Sequence, residues 1–203
     1  MMIYSKFIKR LIDIILSLLV LVPFCWLYLI LAILVRVKLG SPVIFKQPRP
    51  GKDGKVFNLY KFRTMTDAKD ENGNLLPDED RLPEFGKKLR ATSLDELPEF
   101  INILKGDMSL IGPRPPLTYH PWTIDKYTPE QLHMFDVRPG ITGWAQINGR
   151  KAVEWHKRIE LNNWYVDHLS FPLDCKILFT TVYKVLSRAD NVNKGSTVNS
   201  DAE

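Results

Sequence analysis

The sequence predicts an α+β protein: a re-entrant N-terminal helix hairpin in a membrane, then one small, mainly helical domain with a short β-hairpin and amphipathic interfacial helices. Three observations predict it. A long apolar run carries a proline near its middle and basic residues at both ends; two β-rich segments flank a glycine turn; and two later stretches repeat apolar residues at helical spacing. Of the 203 residues, 1–38 are expected to form the anchor, 39–188 one compact domain, and 189–203 a disordered tail.

From Ile14 to Val35 only Ser17 is polar. A straight helix of about 22 residues reaches about 33 Å, enough to span a bilayer. Pro23, however, lacks an N–H and its ring collides with the carbonyl of Leu19, so a bend is expected there. Each arm is then too short to cross. Lys6, Lys9 and Arg10 precede the run and Arg36 and Lys38 follow it, an arrangement that a hairpin entering and leaving one leaflet satisfies at both ends under the positive-inside rule. A proline-kinked spanning helix or an outward-facing signal anchor is the competing reading.

Residues 41–51 and 55–65 read as strands around the turn GKDGK, and 66–81 as a polar, acid-rich loop. Residues 94–106 carry apolar side chains at 97, 100, 101 and 104 and end on Lys105-Gly106, a helix with its usual stop. Residues 173–188 repeat the amphipathic pattern with Lys176, Lys184 and Arg188, as a core helix or one lying on the bilayer surface.

Net charge is +5 and the pI near 9.1, which suits anionic headgroups or a phosphorylated substrate, and the apolar anchor favours these over nucleic acid. Cys25 and Cys175 form no disulfide framework, and His120, His133, His156 and His168 show no ligand spacing. The chemistry gathers at Asp95 and Glu96. SLDE, residues 93–96, reads as a capping box, yet Pro98 suits the first helical turn, so the helix start is ambiguous. A carboxylate at a helix N-terminus is kept ionised where phosphate is also attracted, so Asp95 qualifies as a cap, a magnesium ligand or a nucleophile on phosphorus. Around it in sequence stand Lys61, Arg63 and Arg90, together with Arg49, Arg114 and Arg138, each beside proline, and Arg150. Proline stiffens the loop that presents a guanidinium, whose planar fork matches phosphate oxygens.

In the order KR.ID, VIFKQPRPG, YKFRTM, LDELPEFINILKGDMSLIGPRP and VRPGITGWAQINGR, from about Lys9 to Arg188, the chain resembles the bacterial sugar transferases, monotopic phosphoglycosyl transferases in their minimal form. The resemblance implies transfer of a sugar 1-phosphate from a UDP-sugar to undecaprenyl phosphate, with Mg²⁺, at the cytoplasmic face of the bacterial inner membrane, as the first membrane step of exopolysaccharide, capsule or protein-glycan assembly. It implies Asp95 as nucleophile forming a sugar-phosphoryl aspartate, Glu96 beside it at Mg²⁺, Arg90 on the lipid phosphate, Arg114 on the nucleotide, Lys61 in support, and looser roles for Arg138 and Arg150. One departure is that the family bend is often Ser-Pro, whereas Val22 precedes Pro23 here. A membrane-anchored anionic-lipid-binding scaffold without turnover is the alternative, and the sugar and any homo-oligomer are left open by the sequence.

Overall fold

The computed structural model describes residues 4–149 and 154–187. A π-helical turn, Tyr4–Ile8, leads into α1, Lys9–Leu21, and after a short turn α2 runs Cys25–Leu39. The two helices are bent by 66° at the break that holds Pro23. The expected cause is visible in the ladder: Val22 N–H still reaches Leu18 O at 3.0 Å and Phe24 N–H reaches Val20 O at 3.3 Å, while proline offers nothing to Leu19 O. Among the described residues no single helix is long and apolar enough to cross a membrane.

Helix α1 is built inside out. Lys9, Asp13 and Ser17, four residues apart, are buried, while Leu11, Ile15, Leu18, Leu19 and Val22 are exposed, the reverse of a helix that faces water. Helix α2 buries Leu31, Val35 and Leu39 against Phe62 and Leu89 and leaves Trp26, Leu29, Ile33 and Val37 outward. Lys9 and Arg10, part of the basic flank, are held by the domain: Lys9 Nζ sits 2.7 Å from Asp174 Oδ2, and Arg10 donates to the carbonyls of Ile103 and Leu104. Their helical spacing with Asp13 turns them toward the protein.

Strands β1, Ile44–Pro50, and β2, Val56–Phe62, pair antiparallel from Ile44↔Phe62 to Pro50↔Val56. Two prolines are tolerated because β1 is an edge strand. The turn places Asp53 at φ 56° and Gly54 at φ 70°, left-handed positions that Asp and Gly accept. The acid-rich loop is largely irregular, with a bridge between Lys69 and Leu75 and a short α3, Asp78–Arg81. Helix α4, Glu84–Ala91, crosses the chain at Thr64 so closely that a Cβ on Gly86 would stand 1.9 Å from Thr64 O.

A 3₁₀ turn, Leu94–Glu96, precedes α5, Glu99–Lys105, which Gly106 ends at φ 93°. The capping box is not formed: Ser93 is left-handed and makes no side-chain cap. Pro98 instead occupies the position before α5. Strands β3, Ser109–Ile111, and β4, Gly140–Thr142, pair parallel, and between them lies α6, Pro129–Leu132. Helices α7, Trp144–Ile147, α8, Trp155–Asp167, and α9, Phe171–Leu186, complete the fold. Neither the second sheet nor α4 and α8 were among the sequence expectations. Helix α9 buries Ile177 and Asp174 and exposes Phe179 at 72% with Val182 and Tyr183 beside it. The tail from 189 and Arg150 lie outside the described residues.

Candidate functional site

The site forms where β2, the Leu94–Glu96 turn and the loop after β3 meet. On β2, Leu59 packs with Ile103 of α5. Side chains two apart share a strand face, so Lys61 follows Leu59 toward the same element. Its Nζ bonds Glu96 Oε1 at 2.7 Å and stands 3.2 Å from Glu99 Oε1. Strand β3 delivers Gly112-Pro113-Arg114 from the other side, and Arg114 donates Nη2 to the same Glu96 oxygen and Nη1 to Ile141 O at 3.0 Å. One carboxylate oxygen thus holds two cations.

Burial works to raise the Glu96 carboxyl, but Arg114 and Lys61 outweigh it and hold it at about 2. Asp95 is 8% exposed. Burial, with the Glu96 charge, raises its carboxyl above the ordinary range against the pull of Lys61 and Arg90, whereas the helix-terminus argument expected a carboxylate kept readily ionised. Burial wins because only a 3₁₀ turn stands there and it offers few free N–H groups. A more basic carboxylate is also the stronger nucleophile once deprotonated.

Glu99 was missed. It is fully buried, and its one close polar partner among the described residues is Lys61, whose Nζ is 3.2 Å from Oε1. Burial and Glu96 raise its carboxyl, Lys61 and Arg114 opposing. The signal was in the sequence: Asp95 and Glu99 are four apart and Glu96 and Glu99 three apart, so the three acids share one side of the segment. Arg158 on α8 was also missed. It lies over the Trp155 ring at 4.3 Å from the centroid, and burial together with the nearby Arg114 lowers its guanidinium. No proline marks it out in sequence.

Arg90 extends from the last turn of α4, with Nε on Thr64 Oγ1 at 3.0 Å, within electrostatic reach of Asp95. Arg49 donates to Pro115 O at 2.9 Å and to Gln47 Oε1 at 2.8 Å; burial and Arg114 lower it to about 10. Arg63 turns away from the site, bonding Ser41 O and Met65 O and pairing with Asp67. Arg138 is at the far end of α5, with Nε on Gly106 O at 2.8 Å. The structure therefore groups Asp95, Glu96, Lys61, Arg90 and Arg114 with Arg49, adds Glu99 and Arg158, and puts Arg138 elsewhere. Apart from these side chains, a cavity of about 130 Å³ is lined by Pro50, Pro116, Trp122, Ile124 and Tyr127. The buried Tyr127 hydroxyl has no hydrogen-bond partner.

Among the described residues no group of three or more His, Cys, Asp or Glu is arranged to hold a metal ion by itself. Mg²⁺ asks for less, one or two carboxylates with phosphate oxygens and water. The carboxylates of the neighbours Asp95 and Glu96 are hard oxygen donors of the kind such an ion takes.

Comparison with known proteins gives these residues a setting. The family model described as bacterial sugar transferase matches residues 4–188. The chain is 54% identical to the uncharacterized sugar transferase EpsL of Bacillus subtilis (strain 168), over 88% of this chain and 87% of that one. It is 41% identical to the UDP-glucose:undecaprenyl-phosphate glucose-1-phosphate transferase of Klebsiella pneumoniae, over 87% of this chain and 39% of the relative. With the UDP-N-acetylgalactosamine-undecaprenyl-phosphate N-acetylgalactosaminephosphotransferase of Aeromonas hydrophila it shares 39% identity, over 89% of this chain and 44% of the relative. The chain thus spans most of EpsL and less than half of the other two.

Proposed function

This chain belongs to the bacterial sugar transferase family, and from that premise we propose that it is a phosphoglycosyl transferase moving a sugar 1-phosphate from a UDP-sugar to undecaprenyl phosphate, with release of UMP. The observation that carries the reading is the arrangement around Glu96: two cations on one carboxylate oxygen, with the Asp95 carboxyl buried beside it. A scaffold that only docked anionic lipid has no use for a buried carboxyl at the centre of its basic groups.

In the proposed first step an Asp95 oxygen attacks the β-phosphorus of the UDP-sugar. The bond from that phosphorus to the UMP oxygen breaks, UMP leaves with the electron pair, and a sugar-phosphoryl aspartate remains. In the second step an oxygen of undecaprenyl phosphate attacks the same phosphorus and frees Asp95. Arg114, Lys61 and Arg49 offset the charge of the diphosphate, and Arg90 receives the lipid phosphate from the α4 side. Mg²⁺, held by Asp95 and Glu96, would supply charge neutralisation on the diphosphate. The cavity lined by Pro50 and Pro116, which neighbour Arg49 and Pro115 in sequence, would take part of the donor. Which sugar is carried is not fixed by these contacts, since relatives named for glucose and for N-acetylgalactosamine are about equally similar.

The membrane reading completes the proposal: residues 1–38 form a re-entrant anchor, and the catalytic domain, 39–188, sits on the cytoplasmic face of the inner membrane. The bend at Pro23, the inside-out α1 and the exposed apolar face of α9 support it. Two experiments test the whole. Protein in nanodiscs given a panel of UDP-sugars, Mg²⁺ and undecaprenyl phosphate should release UMP with at least one donor; no release with any would overturn the activity. A cysteine introduced near the N-terminus should label only from the cytoplasmic side, and Pro23→Ala should move part of the population across; outside labelling of the unmutated topology would overturn re-entry.

A further inference from the structure

Three hairpin side chains leave the lipid-facing surface and hold the segment that carries Asp95 and Glu96. From α1, Arg10 donates Nη1 to Ile103 O at 2.6 Å and Nη2 to Leu104 O at 3.0 Å. Those carbonyls belong to the last turn of α5; Ile103 O also accepts the capping N–H of Gly106 at 2.9 Å, and Arg10 supplies a further donor at this end. The fork of one guanidinium matches two neighbouring carbonyls, and its charge suits that end of the helix. From α2, on the other side of the 66° bend, the Tyr28 hydroxyl donates to Leu97 O, one residue after Glu96. The third contact is Asp13 Oδ1, which accepts the Leu110 N–H at 3.0 Å in β3, the strand that runs on into Arg114.

The two arms therefore grip both ends of residues 94–105 and the root of the loop that bears Arg114. Docking alone does not need these contacts. Helix α2 already buries Leu31, Val35 and Leu39 against the domain, and Lys9 ties α1 to α9. What Arg10, Asp13 and Tyr28 add is direction, since each holds a backbone atom of the site's own scaffold.

We propose that the membrane hairpin is part of the catalytic scaffold: Arg10, Asp13 and Tyr28 are positioning residues that set Asp95 and Glu96 against Lys61 and Arg114, so that the angle between the arms governs turnover. For its activity readout this rests on the function proposed above. Small displacements of a nucleophile are costly, because in-line attack on phosphorus tolerates little error in distance or direction. An unrelated membrane helix in place of the hairpin would attach the domain without restoring its rate.

The test uses the full chain in nanodiscs with undecaprenyl phosphate, Mg²⁺ and the best UDP-sugar of the panel. Tyr28→Phe removes one hydroxyl; Arg10→Met removes the fork and keeps the stem; Arg10→Lys keeps the charge; Leu29→Ala alters only the outward face of α2. Tyr28→Phe and Arg10→Met should lower kcat by roughly tenfold or more, with KM for the UDP-sugar within about twofold and unfolding temperature and nanodisc incorporation unchanged. Arg10→Lys should recover part of the loss, and Leu29→Ala should match the parent. Amides of residues 97–105 should exchange hydrogen faster in the first two variants. If kcat in both stays within about twofold of the parent, or falls only in proportion to lost incorporation or stability, the proposal is overturned. Should Arg10→Met not incorporate, Tyr28→Phe decides alone. Should the parent release no UMP, the functional reading fails separately, and unchanged exchange at 97–105 in the variants would then overturn the positioning role.

Discussion

Two buried clusters of charge, one joining α1 to α9 and one at the start of α5, follow opposite rules. Around Asp174 a single carboxylate takes three donors: Oδ2 accepts from Tyr4 at 2.6 Å and Lys9 at 2.7 Å, and Oδ1 from Tyr165 at 2.7 Å. Asp13 is within electrostatic reach of Lys9 as well, but both Asp174 oxygens keep a donor. Around Glu96 three carboxyl groups face Lys61 and Arg114, both cations sit on one Glu96 oxygen, and Glu99 has only a share of Lys61, at 3.2 Å. A satisfied network rigidifies; a partly satisfied one stores free energy that a ligand can release. The first cluster is a lock. On the proposed function, the second would be completed by phosphate oxygens and a cation.

The largest effect that separates them is Asp95→Asn. A lock residue lost to its amide costs stability, but Asp95 is raised by burial, so a neutral isostere relieves the site. Turnover should fall by several orders of magnitude while stability moves by no more than about 1 kcal/mol. UMP release and chemical denaturation measure the two. In the parent without lipid acceptor, a radiolabelled UDP-sugar should leave label on the peptide containing Asp95 with matching UMP. Near-native turnover in Asp95→Asn, or label that never reaches the chain, would assign the attack to Glu96 or to direct displacement.

Next in size is the lock itself. Lys9→Met leaves Asp174 buried with its two tyrosine donors and no counter-charge, which should cost about 3–5 kcal/mol of stability. Lys9→Met combined with Asp174→Leu removes the orphaned charge and should recover a large part of it. Denaturation of both variants in the same detergent makes the comparison. A Lys9→Met protein as stable as its parent would mean that the pair contributes no net stability.

The contrast also explains what the sequence could show. Asp95, Glu96 and Arg114 were legible because an adjacent acid or proline marks each, whereas Lys61 and Arg90, in YKFRTM and KKLRATS, carry no such mark and were drawn in by the family resemblance; the chain folds all of these stretches to one place. Pro23 was legible because a missing N–H acts locally. The lock was half legible. Lys9, Asp13 and Ser17 spell a polar stripe at helical spacing, yet beside so long an apolar run the charges read as headgroup flanks, and only Asp174, 165 residues away, shows where Lys9 points. The parallel pairing of β3 and β4 was not legible at all, since three residues per strand carry no periodicity and their partners lie about thirty residues apart. Glu99 was overlooked because the apolar rhythm of α5 drew the reading to 97, 100, 101 and 104.

That last residue gives the smallest and most discriminating prediction. Glu99 is enclosed by Glu96, Lys61 and Arg114, and its carboxyl is raised, first by burial and then by the Glu96 charge. A carboxyl that holds its proton more tightly folded than unfolded favours the fold fully below the ordinary carboxylate range. The contribution fades as pH rises through about 7, where the folded group ionises. Glu99→Gln keeps the shape and cannot ionise, so it should be the more stable protein above that pH, by about 1–2 kcal/mol, and should lose the decline between pH 5 and 8. Denaturation midpoints of parent and variant across that range measure it. If the two curves run parallel, Lys61 neutralises Glu99 at all these pH values, and the site would then share the fully compensated character of the Asp174 lock. If they diverge as stated, the uncompensated charge is Glu99 itself, held ready beside Asp95 at a cost in stability that the Asp174 cluster never incurs.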